Sequence, residues 1–277
     1  MAKQNNQQIK IAYCGTQGSF SEQAAKRLFP EGKLIACATF QEAYDLALTA
    51  QADHALLPIE NSYAGEVSAT MDMIYRGTLL VNDLYEMRVV QNLVGVKGAK
   101  LSDVKTVISH PQALAQCAEY IAKHHLREVT AENTAFAAKA VSERGAADTA
   151  AIASKACAEL YDLEVLAEDI AESRENTTRF ALLSPHAPQK RKGERLILLF
   201  AVQDRSGALL EALKIIAAYG FNMKCLHSRP LKDKAWQYYF YVEAEGEGEE
   251  AMLLKDLSSY CTNAKIAGRY LPDQKLE

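Results

Sequence analysis

A chain of 277 residues, 49% hydrophobic and 24% charged, is long enough for roughly two domains with cores of their own. Its 31 basic and 35 acidic residues leave a formal charge of −4, which excludes the global basic field of a nucleic-acid binder. The six cysteines form no Cys-x-x-Cys pair, and no apolar run approaches the ~18 residues of a membrane span, so the expectation is a soluble, cytoplasmic protein with reduced thiols and no metal site.

Residues 9–13 read as a short apolar strand followed by the glycine-bearing loop Cys14 to Phe20, with Ser19 or Ser21 capping a helix over about 22–28. Strand, glycine turn and capped helix make an anion site that includes Thr16 and Ser19, although Gly-x-x-Gly lacks the marks of either nucleotide fingerprint, and a plain tight turn stays open. A second strand over 33–38 leads into a helix capped by Thr39 that runs to Leu48. Residues 55–62 then form a buried strand ending in Glu60, Asn61 and Ser62, with Gly65 beyond to permit close backbone approach.

Residues 79–96 read as extended, long enough to carry the chain from one lobe to another, and 106–109 as the next strand. His110 sits where that strand meets a helix opening with Pro111, as a structural cap or as a site residue. Two further strand and helix units follow, 128–130 with 134–144 and 149–153 with a helix through Tyr161, their alanine faces suited to lying close on a sheet. Residues 163–166 then lead toward the polar cluster at 176–180. This alternation predicts mostly parallel sheets covered on both faces.

The stretch Asn176-Thr177-Thr178-Arg179-Phe180 packs an amide, two hydroxyls and a guanidinium ahead of a buried strand. Arginine offers a planar fork of donors suited to a carboxylate. From the residues alone it is either a small-anion site or a turn cluster with a surface arginine. Residues 186–193 read as a polar linker whose Lys-Arg-Lys run is solvated. Beyond it a strand (195–202), a helix from Gly207, strands over 221–227 and 236–245, a helix over 249–260 and a last strand over 264–271 give the order βαββαβ, the ferredoxin-like arrangement. Exposed edges of such sheets favour pairing with a second copy.

Taken together, Gly15 to Ser19, Pro58-Ile59-Glu60-Asn61-Ser62 with Gly65, His110 to Cys117, Asn176 to Phe180, Gly207 to Leu210 and Ser228 to Pro230 resemble prephenate dehydratase carrying a C-terminal ACT regulatory domain, over nearly all of 9–271. With no chorismate mutase segment ahead of Ile9, the resemblance is to the stand-alone form. It implies a two-lobed, periplasmic-binding-protein-like catalytic domain over 9–185, with lobe one at about 9–85 and 178–184 and lobe two at about 86–171. A ferredoxin-like ACT domain follows over 194–272.

The implied activity is conversion of prephenate to phenylpyruvate with loss of water and carbon dioxide in phenylalanine biosynthesis, without a cofactor. Arogenate dehydratase and a non-catalytic amino-acid sensor are the alternatives. By resemblance Thr178 donates to the leaving hydroxyl, Arg179 clamps a carboxylate and Phe180 walls the ring. Thr16, Ser19, Glu60, Asn61, Ser62, Gly65, His110, Asn176 and Thr177 surround the substrate. A threonine hydroxyl is too weak an acid to release its proton unaided, so transfer is late or is helped through water by Glu60 or His110.

L-phenylalanine acts back through a site implied to lie at the interface of two ACT domains, framed by Gly207, Ala208, Leu209, Leu210, Asn222, His227, Ser228, Arg229 and Pro230. His227 stands where a glutamate is common. The implied assembly is a homodimer or homotetramer, with no nucleic-acid or membrane partner.

Overall fold

The computed structural model describes residues 8–187, 191–232, 236–272 and 274–276. The elements run β1 (Lys10–Cys14), α1 (Phe20–Leu28), β2 (Lys33–Cys37), α2 (Phe40–Leu48), β3 (His54–Asn61), β4 (Gly65–Glu66), α3 (Ser68–Arg76), β5 (Leu80–Arg88), β6 (Asn92–Val96), β7 (Thr106–Ser109), α4 (Pro111–Gln116), α5 (Ala118–Lys123), β8 (Arg127–Thr130), α6 (Thr134–Arg144), β9 (Thr149–Ala153), α7 (Lys155–Leu160), β10 (Leu163–Ala167) and β11 (Thr177–Ser184). Then follow β12 (Arg195–Val202), α8 (Ala208–Ala218), β13 (Asn222–Pro230), β14 (Tyr238–Glu245), α9 (Glu250–Ser258), β15 (Cys261–Tyr270) and β16 (Lys275–Leu276). Among the described residues no helix is long and apolar enough to cross a membrane.

Two compact units divide the chain, one of residues up to Met71, Tyr85–Phe180 and the C-terminal strand, the other of Asp72–Leu84 and Ala181–Gln274. The first contains two α/β lobes, each on its own sheet. In lobe one β3, β1 and β2 are parallel neighbours, and the opening residues of β11 lie beside β3. Ile11, Ala12, Leu56 and Leu57 are wholly buried in these strands, as continuous apolar runs covered on both faces must be.

Lobe two has the order β10-β6-β9-β7-β8. The mostly parallel sheet expected there is corrected in one respect: β6 runs antiparallel to both β9 and β10. A sequence pattern that reports burial does not report direction, and β6 is apolar in either sense. The alanines of α6 explain its close seat on the sheet, since Ala135, Ala137 and Ala138 are all fully buried.

In the second unit β13, β14, β12 and β15 form an antiparallel sheet in that order. One core joins Leu196, Leu198 and Phe200 of β12 to Ala212 and Ile216 of α8 and Leu253 and Leu257 of α9. This is the ferredoxin-like topology, with Gly268 of β15 opposite Val81 at the start of β5. Two expectations shift: β15 begins at Cys261, and it is not the last strand, because β16 pairs with Glu86 and Met87 of β5.

Of the expected linker, residues 188–190 lie outside the described residues. Arg191 is not the solvated charge the basic run suggested. Its guanidinium reaches Asp83 at 2.6 Å and Glu194 at 3.1 Å, and these buried carboxylates hold its proton more tightly than usual.

Candidate active site

A cavity of about 530 Å³ lies in the first unit, reached by residues of both lobes. Lobe one and the returning strand contribute Ser19, Asn61, Asn176, Thr178 and Phe180, and lobe two contributes His110, Gln112, Gln116 and Asn133. Strand alternation decides which residues enter. Successive side chains point to opposite faces, so Thr178 and Phe180 share the cavity face of β11 while Thr177 and Arg179 lie on the other.

Asn61, at the end of β3, is the hub. Its amide nitrogen donates to Asn176 Oδ1 at 2.8 Å and to Thr178 Oγ1 at 3.0 Å, and reaches the Thr177 carbonyl at 3.2 Å. Its oxygen accepts from the backbone of Tyr63 and Ala64 and from Gln112 Nε2 at 3.1 Å. The Thr178 oxygen therefore accepts from Asn61, and its own proton is left to donate into the cavity. Asn176 Nδ2 in turn donates to Gln116 Oε1 at 2.9 Å, which also accepts from Gln91 Nε2 at 3.3 Å. Gln116 Nε2 and Gln91 Oε1 are buried without a partner among the described residues. Orphaned polar atoms of this kind cost about 1–3 kcal/mol each unless water or a ligand supplies the missing half.

Helix starts supply positive potential. The first residues of α1, α2, α4 and α6 line the cavity, and Ser19, His110 and Asn133 are the N-caps of α1, α4 and α6. Backbone N–H groups and helix dipoles there favour anions. Gly15 is required for this geometry, since its φ of +127° suits glycine and an added Cβ would stand 2.8 Å from Ser19 Oγ. Among the described lining residues there is no lysine or arginine, and Glu132 is the single carboxylate.

His110 Nδ1 accepts from Gln112 N at 3.2 Å, so its proton sits on Nε2. Burial lowers its pKa below the ordinary 6.5 and keeps the ring neutral, which makes it a hydrogen-bond donor. Burial also raises the Cys14 thiol at the cavity wall, and it stays protonated rather than nucleophilic.

The placement expected of Arg179 is corrected. Its guanidinium is not among the cavity-lining groups and pairs with Glu60 at 3.0 Å, because alternation sends both side chains to the opposite face from Asn61 and Thr178. Ser62 lies outside the lining as well. Its hydroxyl donates to the Glu175 carbonyl and accepts from Thr177 N, each at 3.0 Å, tying the turn before β11 to the end of β3. Gly65 does not serve close backbone approach: a Cβ would meet nothing within 4 Å, and its φ of +78° is the reason for glycine. Thr16 and Thr177 also stand apart from the lining. Sequence reading missed Gln91, Gln112, Gln116, Asn133 and Glu132 as site residues. Gln112 and Gln116 did carry a signal, four residues apart on one helix face.

In the second unit Gly207, Ala208, Leu209 and Leu210 line a separate cavity of about 400 Å³ with Trp236 and Tyr238. Asn222, His227, Ser228, Arg229 and Pro230 are not part of that lining and lie on β13. Arg229 is engaged with Tyr239 Oη at 3.0 Å and Asp72 Oδ1 at 3.4 Å.

A cavity between two α/β lobes that offers hydroxyl and amide donors and helix starts is the arrangement of an enzyme of the periplasmic-binding-protein-like fold. Residues 11–188 match the family model described as prephenate dehydratase. The chain belongs to the prephenate dehydratase family, whose members are lyases of aromatic amino acid biosynthesis.

It is 31% identical to the arogenate dehydratase/prephenate dehydratase 2 of Arabidopsis thaliana, over 97% of this chain and 74% of the relative. It is also 31% identical to the bifunctional chorismate mutase/prephenate dehydratase of Neisseria gonorrhoeae, over 95% of this chain and 74% of that one. Among solved structures, the prephenate dehydratase of Arthrobacter aurescens in complex with L-Phe matches with a TM-score of 0.86 at 29% identity, over 95% of this chain and 90% of the other. GqqA, described as a novel type of quorum quenching acylase, matches with a TM-score of 0.84 at 32% identity over 95% and 97%.

Proposed function

We propose that the protein converts prephenate to phenylpyruvate, water and carbon dioxide. The carrying observation is the Thr178 hydroxyl, held through its oxygen by Asn61 and left with a proton to give. In the reaction the ring carboxylate departs as carbon dioxide, its bonding electrons enter the ring, and the C4 hydroxyl leaves and takes a proton to become water. Aromatisation drives both losses. A preorganised donor at the leaving oxygen is stronger in the transition state than in the ground state. Helix starts suit the side-chain carboxylate, while a lining without lysine or arginine leaves the ring carboxylate weakly compensated, which favours its loss. His110, kept neutral by burial, donates a hydrogen bond from Nε2 but is a poor acid, so the proton that completes the departing water comes late, from solvent. Purified protein given prephenate should release phenylpyruvate, and absence of turnover overturns the reading.

Arogenate is the runner-up substrate and differs by an amino group in place of the side-chain keto group. Glu132, the single carboxylate of the lining, suits an ammonium, and relatives named for both substrates favour testing both. Acylase activity rests on the likeness to GqqA alone. A serine hydrolase needs an imidazole nitrogen free to accept a proton, and His110 Nδ1 already accepts from Gln112. Assaying an N-acylated substrate with the same preparation decides between the readings.

The ferredoxin-like unit is proposed as an ACT domain through which L-phenylalanine inhibits. Its support is the cavity at the start of α8, where Gly207 at φ +79° opens the helix and exposes backbone donors to a carboxylate, together with the L-Phe complex of the Arthrobacter relative. Exposed Leu210, Leu226, Trp236 and Tyr238 favour a homodimer or homotetramer, which light scattering of the eluting protein measures. Phenylalanine titration that leaves activity and the unfolding midpoint unchanged refutes the regulatory reading.

A further inference from the structure

A cavity of about 570 Å³ at the C-terminal end of α3, lined by Tyr75, Arg76, Gly77, Thr262, Asn263 and Lys265 among others, has no part in the catalytic or effector readings. Both formal charges in its described lining are positive, in a chain whose net charge is −4. Lys265 Nζ donates to the Gly77 carbonyl at 2.6 Å, its single partner among the described residues. An ammonium has three protons, so two are left without an acceptor among the described residues. Burial without a carboxylate pulls the Lys265 pKa down from 10.5 to about 8. Asn263, in the left-handed region at φ +54°, donates to the Tyr75 hydroxyl at 3.3 Å and rims the same space. A lysine that only capped α3 would keep its ammonium in water, and neither a second cation nor a cavity would be needed beside it.

We propose that this cavity binds a compact oxyanion, either a phosphate or a small dicarboxylate, between the Lys265 ammonium and the Arg76 guanidinium with the Thr262 hydroxyl as a further donor. Occupancy bears on the regulatory segment, because Tyr75 stacks on Tyr239 at a ring distance of 4.0 Å and Tyr239 Oη is shared with Arg229 and Asp72.

The test uses the full chain at pH 8 with ionic strength held by potassium chloride, inorganic phosphate and malonate being titrated separately. At least one anion should raise the unfolding midpoint saturably. At ten times its Kd it should also slow acylation of Lys265 by a succinimidyl ester about tenfold, followed by peptide mass spectrometry. Response to phosphate alone assigns a phosphate ligand, and response to malonate alone a carboxylate. Lys265→Met should abolish the midpoint shift, and should that variant fail to fold, protection of the wild-type lysine decides by itself. Absence of both the shift and the protection overturns the proposal, as does a Lys265→Met protein that keeps the full shift.

Discussion

The amide nitrogen of Asn61 lies 3.0 Å from the hydroxyl oxygen of Thr178, although 117 positions separate them in the chain. One hydrogen bond from the end of β3 to the start of β11 thus fixes the rotamer of the proposed leaving-group donor. Thr178→Ser keeps the hydroxyl and should retain most of kcat. Thr178→Ala should lose about 10²-fold or more, the scale of a removed transition-state donor. Steady-state kinetics on the two variants measures the difference, and an unimpaired alanine variant removes Thr178 from the mechanism.

Asn61→Asp replaces a donor by an acceptor facing Asn176 Oδ1, the Thr177 carbonyl and Thr178 Oγ1. A buried carboxylate facing Asn176 Oδ1 and the Thr177 carbonyl, with only the Thr178 hydroxyl able to turn and donate to it, should cost about 1–3 kcal/mol at neutral pH, with partial recovery in acid as it protonates. Denaturant unfolding at pH 7.5 and pH 5 checks both the cost and its direction.

His110 gives a pH dependence of known sign. Its folded pKa lies below the unfolded 6.5 because burial disfavours the charged ring. Between those two values the unfolded chain binds more protons, so this contribution to stability falls as pH drops below about 6.5 and is flat above it. His110→Asn keeps an N-cap acceptor and should flatten that window in a urea series, whereas an unchanged slope assigns it to other groups.

Arg179 and Glu60 are expected to brace β3 and β11 from the face opposite the cavity. With their side chains 19% and 31% exposed, Arg179→Gln should destabilise by about 1–2 kcal/mol, between the values of surface and buried pairs. Glu60→Gln in the same protein should restore part of that loss. A large rise in KM with stability unchanged would instead return Arg179 to the role of carboxylate clamp.

Glu132→Gln should shift the ratio of kcat/KM for arogenate over prephenate downward. Exposed charge pairs contribute about 0.2–1 kcal/mol, which corresponds to a change of up to about fivefold. Competition between the two substrates in one reaction reads the ratio directly, and a constant ratio shows that Glu132 does not face the side-chain amino or keto group.

Much of the architecture was legible in the chain. Ser19, Thr39, His110 and Gly207 stand at the starts of α1, α2, α4 and α8, because capping residues act on backbone a few positions away. The βαββαβ order of the C-terminal unit followed from periodicity alone. The antiparallel direction of β6 did not, since Leu93 and Val94 are buried whichever way the strand runs.

Asn61, Thr178 and His110 were individually visible as polar groups at the ends of apolar strands, a local pattern that composition records. Their union in one cavity, the exclusion of Arg179 from it and the entry of Gln116 through Asn176 were decided only when β3, β11 and α4 were brought together. The sequence determines which side chains a strand end carries. Which face of the strand meets the cavity, and which partner from the other lobe meets that face, depends on register between segments more than fifty positions apart, and tertiary packing alone sets that register.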